Sequence, residues 1–221
     1  MADWVTISSL ATAGGTLVLA VATFSSVRSA NRSARVAERS LLAGQRPVLV
    51  PSKEDDLPER VRFGDDQIVV VPGHGAALEV ANGRIYMALA LRNGGAGMAV
   101  IHGWRVEVLD RARATTLRAS GSMPLVRPEL DRFRRQQRDL YIPAGDTGFW
   151  QGAIRDRVDP DYESIRAAAE TGERVLVDLL YGDHEGGQRT IGRFSIQPWP
   201  DIEGERGDVI RYWNVDLDDP R

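Results

Sequence analysis

The pattern of apolar and polar positions divides the chain into two textures. Val5 to Val27 is a run of 23 residues without one charge. Plotted at about 100° per residue, Ile7, Leu10, Leu17, Val21 and Phe24 fall on one side of a helix, with Gly14 among them. Ser8, Thr12, Thr16 and Ala20 recur every four residues on the other side, beside Gly15 and Ala22. A helix of this length measures about 34 Å, enough to cross a hydrocarbon core of about 30 Å. The residues that follow, RSANRSARVAERSLLAG, stay helix-compatible, and Gly44 and Pro47 predict the stop. This gives an expected anchor at 1–27 and a helical stalk at 28–46.

From 47 to 221 the period shortens to two. RIYMALALR (84–92) alternates, with Ile85, Met87, Leu89 and Leu91 on one face. WRVEVL (104–109) sets Trp104, Val106 and Val108 against Arg105 and Glu107, and VLVDLLY (175–181) and TIGRFSIQ (190–197) are two further runs. PVLVP, QIVVV, DLYIP, TGFWQGAI and VIRYWNV extend the series. Strands at short spacing with turn signals between them predict a mainly β fold, an Ig-like or related antiparallel β-sandwich. PELDRFRRQQ (128–137) and DPDYESIRAAAETG (159–172) read as short helices or helical loops, giving one or two short helices in all, the second with Asp159 or Asp161 available as N-cap and Gly172 as stop. SKEDDLPERVRFGDD (52–66) reads as a polar surface excursion.

Charge then orients the first texture. Arg28, Arg32, Arg35, Arg39 and Arg46 face only Glu38 in their segment, while the whole chain carries a net charge of −3, so the body is acidic. An acidic body argues against nucleic acid as a partner, because binding to phosphate needs a basic footprint. Asp3 precedes the apolar run and the arginines follow it, which is the reverse of a secretion signal. By the positive-inside rule, Arg28, Arg32, Arg35 and Arg39 put the N-terminus outside the cell membrane and the C-terminal domain in the cytoplasm. The small residues Ser8, Thr12, Thr16 and Ala20 offer a surface for a second helix, either another copy or a protein partner.

Candidate chemistry is sparse. There is no cysteine, which removes disulfides, thiolate catalysis and sulfur-ligated zinc. In RNGGAGMA (92–99) the glycines do not open a helix, since MAVIHGWRVEVL reads as strand; a dinucleotide cradle needs that helix, and a sheet connection explains them better. YGDHEGGQ (181–188) sets Asp183, His184 and Glu185 side by side, a spacing that does not converge on one metal, and it reads as a hairpin loop. No nucleophile elbow, Walker loop or HExxH is present, so no catalytic, metal or cofactor residue is assigned. RFRRQQRDLYIPAGDTGFWQG (132–152) concentrates cations and aromatics; Arg132, Arg134, Arg135 and Arg138 are the expected surface for lipid heads or an acidic partner.

The LVLAVATF stretch, the SANRSARVAERSLLAGQRPVLVPS stretch and the junction Asn93, Gly95, Gly97 and Ala99 together resemble a loose group of uncharacterised actinobacterial single-pass membrane proteins. That resemblance covers most of the chain and implies an anchor helix carrying a β-rich soluble domain; it supplies no activity. The expectation from all of this is a membrane-tethered cytoplasmic interaction or scaffolding module rather than an enzyme. A ligand sensor coupled to the association of anchor helices, and an enzyme with an unrecognised site, are the alternatives.

Overall fold

The computed structural model describes residues 3–109, 126–199 and 204–217, with the side chains of 4–9, 11, 39 and 139 outside that description. The chain divides into two compact units, Met1–Gly44 and Gln45–Arg221.

The first unit is one unbroken helix, α1 (Trp4–Gly44). Nothing interrupts it where the arginines begin, because the residues around Val27 hold neither proline nor glycine. Leu10, Leu17, Val18, Leu19, Val21, Phe24 and Val27 are each more than half exposed. Thr16 and Thr23 turn their hydroxyls back on their own helix, donating to the carbonyls of Thr12 at 2.9 Å and Leu19 at 2.8 Å. Among the described residues no helix is long and apolar enough to cross a membrane. Glycine and hydroxyl residues dilute the run after Leu10, Arg28 closes it, and Val5 and Ile7 fall among the side chains that are not described.

The second unit is mainly β and antiparallel. Its strands are β1 (Leu49–Pro51), β2 (Glu59–Arg62), β3 (Ile68–Val71), β4 (Gly75–Ala81), β5 (Arg84–Asn93), β6 (Ala99–Leu109), β7 (Arg134–Ile142), β8 (Thr147–Ile154), β9 (Arg174–Gly182), β10 (Thr190–Pro198) and β11 (Glu205–Asn214). One helix, α2 (Tyr162–Thr171), joins β8 to β9. β2 and β3 form a hairpin of their own; the other nine strands run β1-β5-β4-β11-β10-β9-β6-β7, with β8 on the free side of β5.

Pairing along this path is shortest at β4–β11, where it shrinks to two partners, Glu205 with Ala76 and Arg206 with Gly75. That corner divides the path into two layers, β8, β5, β4 and β1 against β11, β10, β9, β6 and β7. Between them lies one apolar core holding Ile85, Met87, Leu89 and Leu91 from β5, Trp104 and Val106 from β6, Trp150 from β8, Val177 from β9 and Phe194 from β10. The alternation predicted for 84–92 and 104–109 is therefore the inward face of each layer. The other face of β5 is buried too. Tyr86, Ala88 and Ala90 are covered by Val61, Phe63, Val69 and Val71 of the β2–β3 hairpin, and small residues let that second sheet approach.

Two local expectations need correction, and a third holds in position only. The excursion at 52–66 contains β2, whose Val61 is fully buried. The helix predicted at 128–137 is a single 3-10 turn, Leu130–Arg132, followed by β7. Its strand alternation is invisible to hydropathy because the buried position is Gln136, flanked by exposed Arg135 and Gln137. In α2, Asp161 occupies the N-cap position without a side-chain cap bond, because it and Asp159 accept from Arg134 instead. The stop at Gly172 holds, with φ of 66° in the left-handed region that favours glycine.

Candidate functional site: an open seam and a closed junction

β7 and β8 leave one tight turn, Pro143–Asp146, in which the Asp146 N–H donates to the Pro143 carbonyl at 3.2 Å. They then part. β7 pairs with β6 in one layer and β8 with β5 in the other, and among the described residues the two do not pair with each other. The seam this leaves widens away from the turn into a groove of about 810 Å³. Residues 134–138 of β7 form one wall, Gln151, Gly152, Ala153 and Arg155 the other, and Arg62, Phe63, Gly64 and Asp66 of the β2–β3 hairpin with Trp104 complete it. The volume lies within the usual range for ligand pockets.

Five arginines line this groove, and they are not equivalent. Arg134 lies over the Trp104 ring at 5.2 Å and donates to both oxygens of Asp159 and to Asp161 Oδ2 at 2.5 Å. Those hydrogen bonds, Asp159's first, raise its guanidinium pKa further and hold the Asp159 carboxyl below the usual range. Arg134 is thus fixed between β7 and the start of α2. Arg62 pairs with Asp66 at 2.5 Å, and Arg155 lies 3.5 Å from Asp65. Arg135 and Arg138 are exposed and make no ion pair among the described residues. Of the predicted cluster, Arg134, Arg135 and Arg138 share the groove, while Arg132 sits outside it, exposed and 3.4 Å from Glu129. The stalk arginines Arg28, Arg32 and Arg35 are exposed on α1; the Arg39 side chain lies outside the described residues.

Two glutamines bridge the groove floor. Gln136 Nε2 donates across the seam to the carbonyl of Gln151 at 3.2 Å. Both side chains are more than nine-tenths buried, at 8% and 9% exposure, yet Gln136 Oε1 and Gln151 Oε1 have no hydrogen-bond donor. The orientation of Gln136 is fixed by that carbonyl, since the flipped amide would set oxygen against oxygen. A buried acceptor left alone costs about 1–3 kcal/mol.

The turn end of the same seam is closed by Asn93, which is fully buried. Its Oδ1 accepts from the N–H groups of Val48 at 3.2 Å and Gly95 at 3.0 Å, and its Nδ2 donates to the carbonyls of Gly97 at 2.6 Å and Ile142 at 2.9 Å. Its backbone N–H donates to the Asp146 carbonyl, and its carbonyl accepts from Gly145. The glycines of RNGGAGMA are required by approach, not by phosphate. A Cβ on Gly95 would lie 2.2 Å from the Arg46 carbonyl, and one on Gly97 would lie 1.8 Å from that of Gln45.

The incoming segment is held further along. Arg46 donates to Asn214 and, at 2.9 Å, to Thr190, while Leu49 donates to the Tyr181 hydroxyl and accepts from Tyr212 at 2.6 Å. Burial pushes the Tyr212 hydroxyl pKa up to about 12 and moves that of Tyr181 the same way.

The other motifs resolve locally. Asp183 Oδ1 accepts from the N–H groups of Glu185 and Gly187, and its Oδ2 from Gln188, so this carboxylate shapes the β9–β10 loop. Among the described residues no group of three or more histidine, aspartate or glutamate side chains is placed to hold a metal. Among the described residues the groove lining supplies hydrogen-bond donors and positive charge, with Asp66 as the one carboxylate. That is chemistry for recognising an anionic or amide-bearing ligand. Sequence reasoning missed Gln136, Gln151, Arg62 and Arg155, which come from three separate stretches and meet only through the seam. Comparison with models of known protein families, with curated proteins and with solved structures gave no match.

Proposed function

We propose that the chain is a membrane-tethered interaction module, with α1 as a single N-out anchor and the β domain on the cytoplasmic side. The observation that carries this is the exposed apolar stretch of α1, in a chain whose second unit has an apolar core of its own. Covering the seven exposed apolar side chains from Leu10 to Val27 is worth on the order of 10 kcal/mol. A bilayer covers all sides of a helix at once, and the inward-bonded hydroxyls of Thr16 and Thr23 suit an apolar surrounding. Arg28, Arg32 and Arg35 then lie against anionic headgroups. The same hydroxyl bonds weaken the case for Thr16 as a donor across a helix pair, leaving close packing of small residues as the basis for any self-association through Ser8, Thr12, Thr16 and Ala20.

The resemblance to single-pass actinobacterial proteins fits this reading. In fold terms we read the two layers joined at one corner as an Ig-like sandwich left open along its β7–β8 side. The open side is the face we read as functional, because exposed Arg135 and Arg138, which make no ion pair among the described residues, stand there beside the orphaned oxygens of Gln136 and Gln151.

The test is alkaline carbonate extraction of membranes from cells expressing the full chain or a chain starting at residue 46. The full chain is expected in the pellet and the shortened one in the supernatant. Release of both by carbonate refutes the anchor, and a reporter fused after residue 60 that works only when exported reverses the topology.

A further inference from the structure

We infer that the β7–β8 seam receives an extended acidic peptide segment of a partner protein, added as a strand to the free edge of β8 with its carboxylates against Arg135 and Arg138. This rests on the interaction-module reading and names the chemistry of the partner. The first support is the edge itself. Gln151 pairs with Ala88 of β5, yet its carbonyl accepts from Gln136 across the seam, so it points away from β5. Alternation along a strand turns the backbone polar groups of Phe149 and Ala153 to the same side, and a strand seated there takes over the Gln151 carbonyl from the Gln136 amide. β8 contains no proline that would block such an edge.

The second support separates a peptide from a simple anion. Gln136 Oε1 and Gln151 Oε1 need donors, whereas Arg135 and Arg138 need acceptors. A free dicarboxylate satisfies the arginines and brings no donor, and the few P–OH groups of inorganic phosphate sit on the same small anion that the arginines would hold. A peptide backbone brings N–H donors to the floor while acidic side chains reach the arginines. The flat surface of an anionic bilayer reaches exposed arginines and does not reach side chains buried to this degree. Length agrees as well, since the five positions of each wall span about 17 Å, the length of a five-residue strand.

The experiment uses the full chain in detergent micelles and a fluorescent hexapeptide alternating glutamate and valine, read by polarisation. Saturable binding is expected, weakened about tenfold or more by R135S/R138S, whose side chains are exposed and make no ion pair among the described residues. Q136L is expected to weaken it several-fold, because a donor–acceptor pair is lost while the groove keeps its charge. The same hexapeptide with methylated backbone nitrogens is expected not to bind, nor millimolar phosphate to compete. Equal binding by the methylated peptide, or displacement by phosphate, makes this an anion site and overturns strand addition. Equal binding by a lysine–valine hexapeptide, or displacement by phosphatidylserine vesicles, overturns the acidic-peptide assignment. Failure of the glutamate–valine hexapeptide to bind a chain that resists carbonate extraction overturns this inference and leaves the tether intact. Carbonate release with binding preserved does the reverse.

Discussion

Asn93 and Gln136 do the same job in one seam and end in opposite states. Each is a buried side-chain amide that crosses a gap backbone pairing leaves open. Asn93 satisfies all four of its hydrogen-bonding positions, at the turn where the chain enters the domain. Gln136 is left with a bare oxygen, as is Gln151 opposite it. A closed polar hub specifies a structure; a half-satisfied one lowers stability and persists where something else completes it. The difference separates scaffold from site in a region where hydropathy alone reads both as polar.

The sharpest way to break the comparison is to make the same change at both hubs. Asn93→Leu strips partners from the N–H groups of Val48 and Gly95 and the carbonyls of Gly97 and Ile142; at about 1 kcal/mol each, urea unfolding is expected to show a loss of about 4 kcal/mol. A loss below about 1 kcal/mol means the junction closes without the amide. Next in size is Gly97→Ala, whose methyl meets the Gln45 carbonyl and forces the incoming segment away, at about 2 kcal/mol in the same assay. Proteolysis near Gln45 should rise with it, and unchanged cleavage would put the strain elsewhere.

Tyr212 sharpens the closed end by pH. Its folded pKa, about 12, lies above the ordinary tyrosine value near 10. The neutral hydroxyl is the folded form, so its contribution is complete below about pH 10 and lost as pH rises through about 12. Tyr212→Phe is expected to cost about 1 kcal/mol at neutral pH, through the bond to Leu49, and to flatten the alkaline decline. An unchanged slope assigns that decline to other groups, Tyr181 first. The smallest effect carries the opposite sign. Gln136→Leu removes an orphaned acceptor and is expected to raise stability by up to about 1 kcal/mol. A clear loss would show the Gln136–Gln151 bridge to be part of the scaffold.

Much of the architecture was legible from period alone. The run RIYMALALR shows its core face directly, and WRVEVL does the same, because apolar burial on one face is what alternation records. β4 was missed although Asn82-Gly83, both at positive φ, form the two-residue hairpin turn that announces β4 and β5. The second half of β7 reads as strand in DLYIP, but its first half reads as helical because arginine and glutamine suit a helix as well as an edge strand, and its one buried position between Arg134 and Arg138 is polar. The site was half legible. Positive charge at 134–138 stood out as composition, but Arg134 becomes a fixed brace only once Asp159 and Asp161 arrive from another element. Gln151 and Arg155 carry no local signal at all; they matter because β7 and β8 share a turn and belong to different layers, which is a property of topology.

Asn93 also has a mechanical consequence. The seam closes at the Pro143–Asp146 turn, and Asn93 binds that turn through Gly145, Asp146 and Ile142 while holding the chain at Val48. The closed end of the seam and the clamp on the incoming segment are therefore one residue. Under the proposed tether, a pull arriving at Gln45 would load this hub first, at the end of the seam opposite the groove.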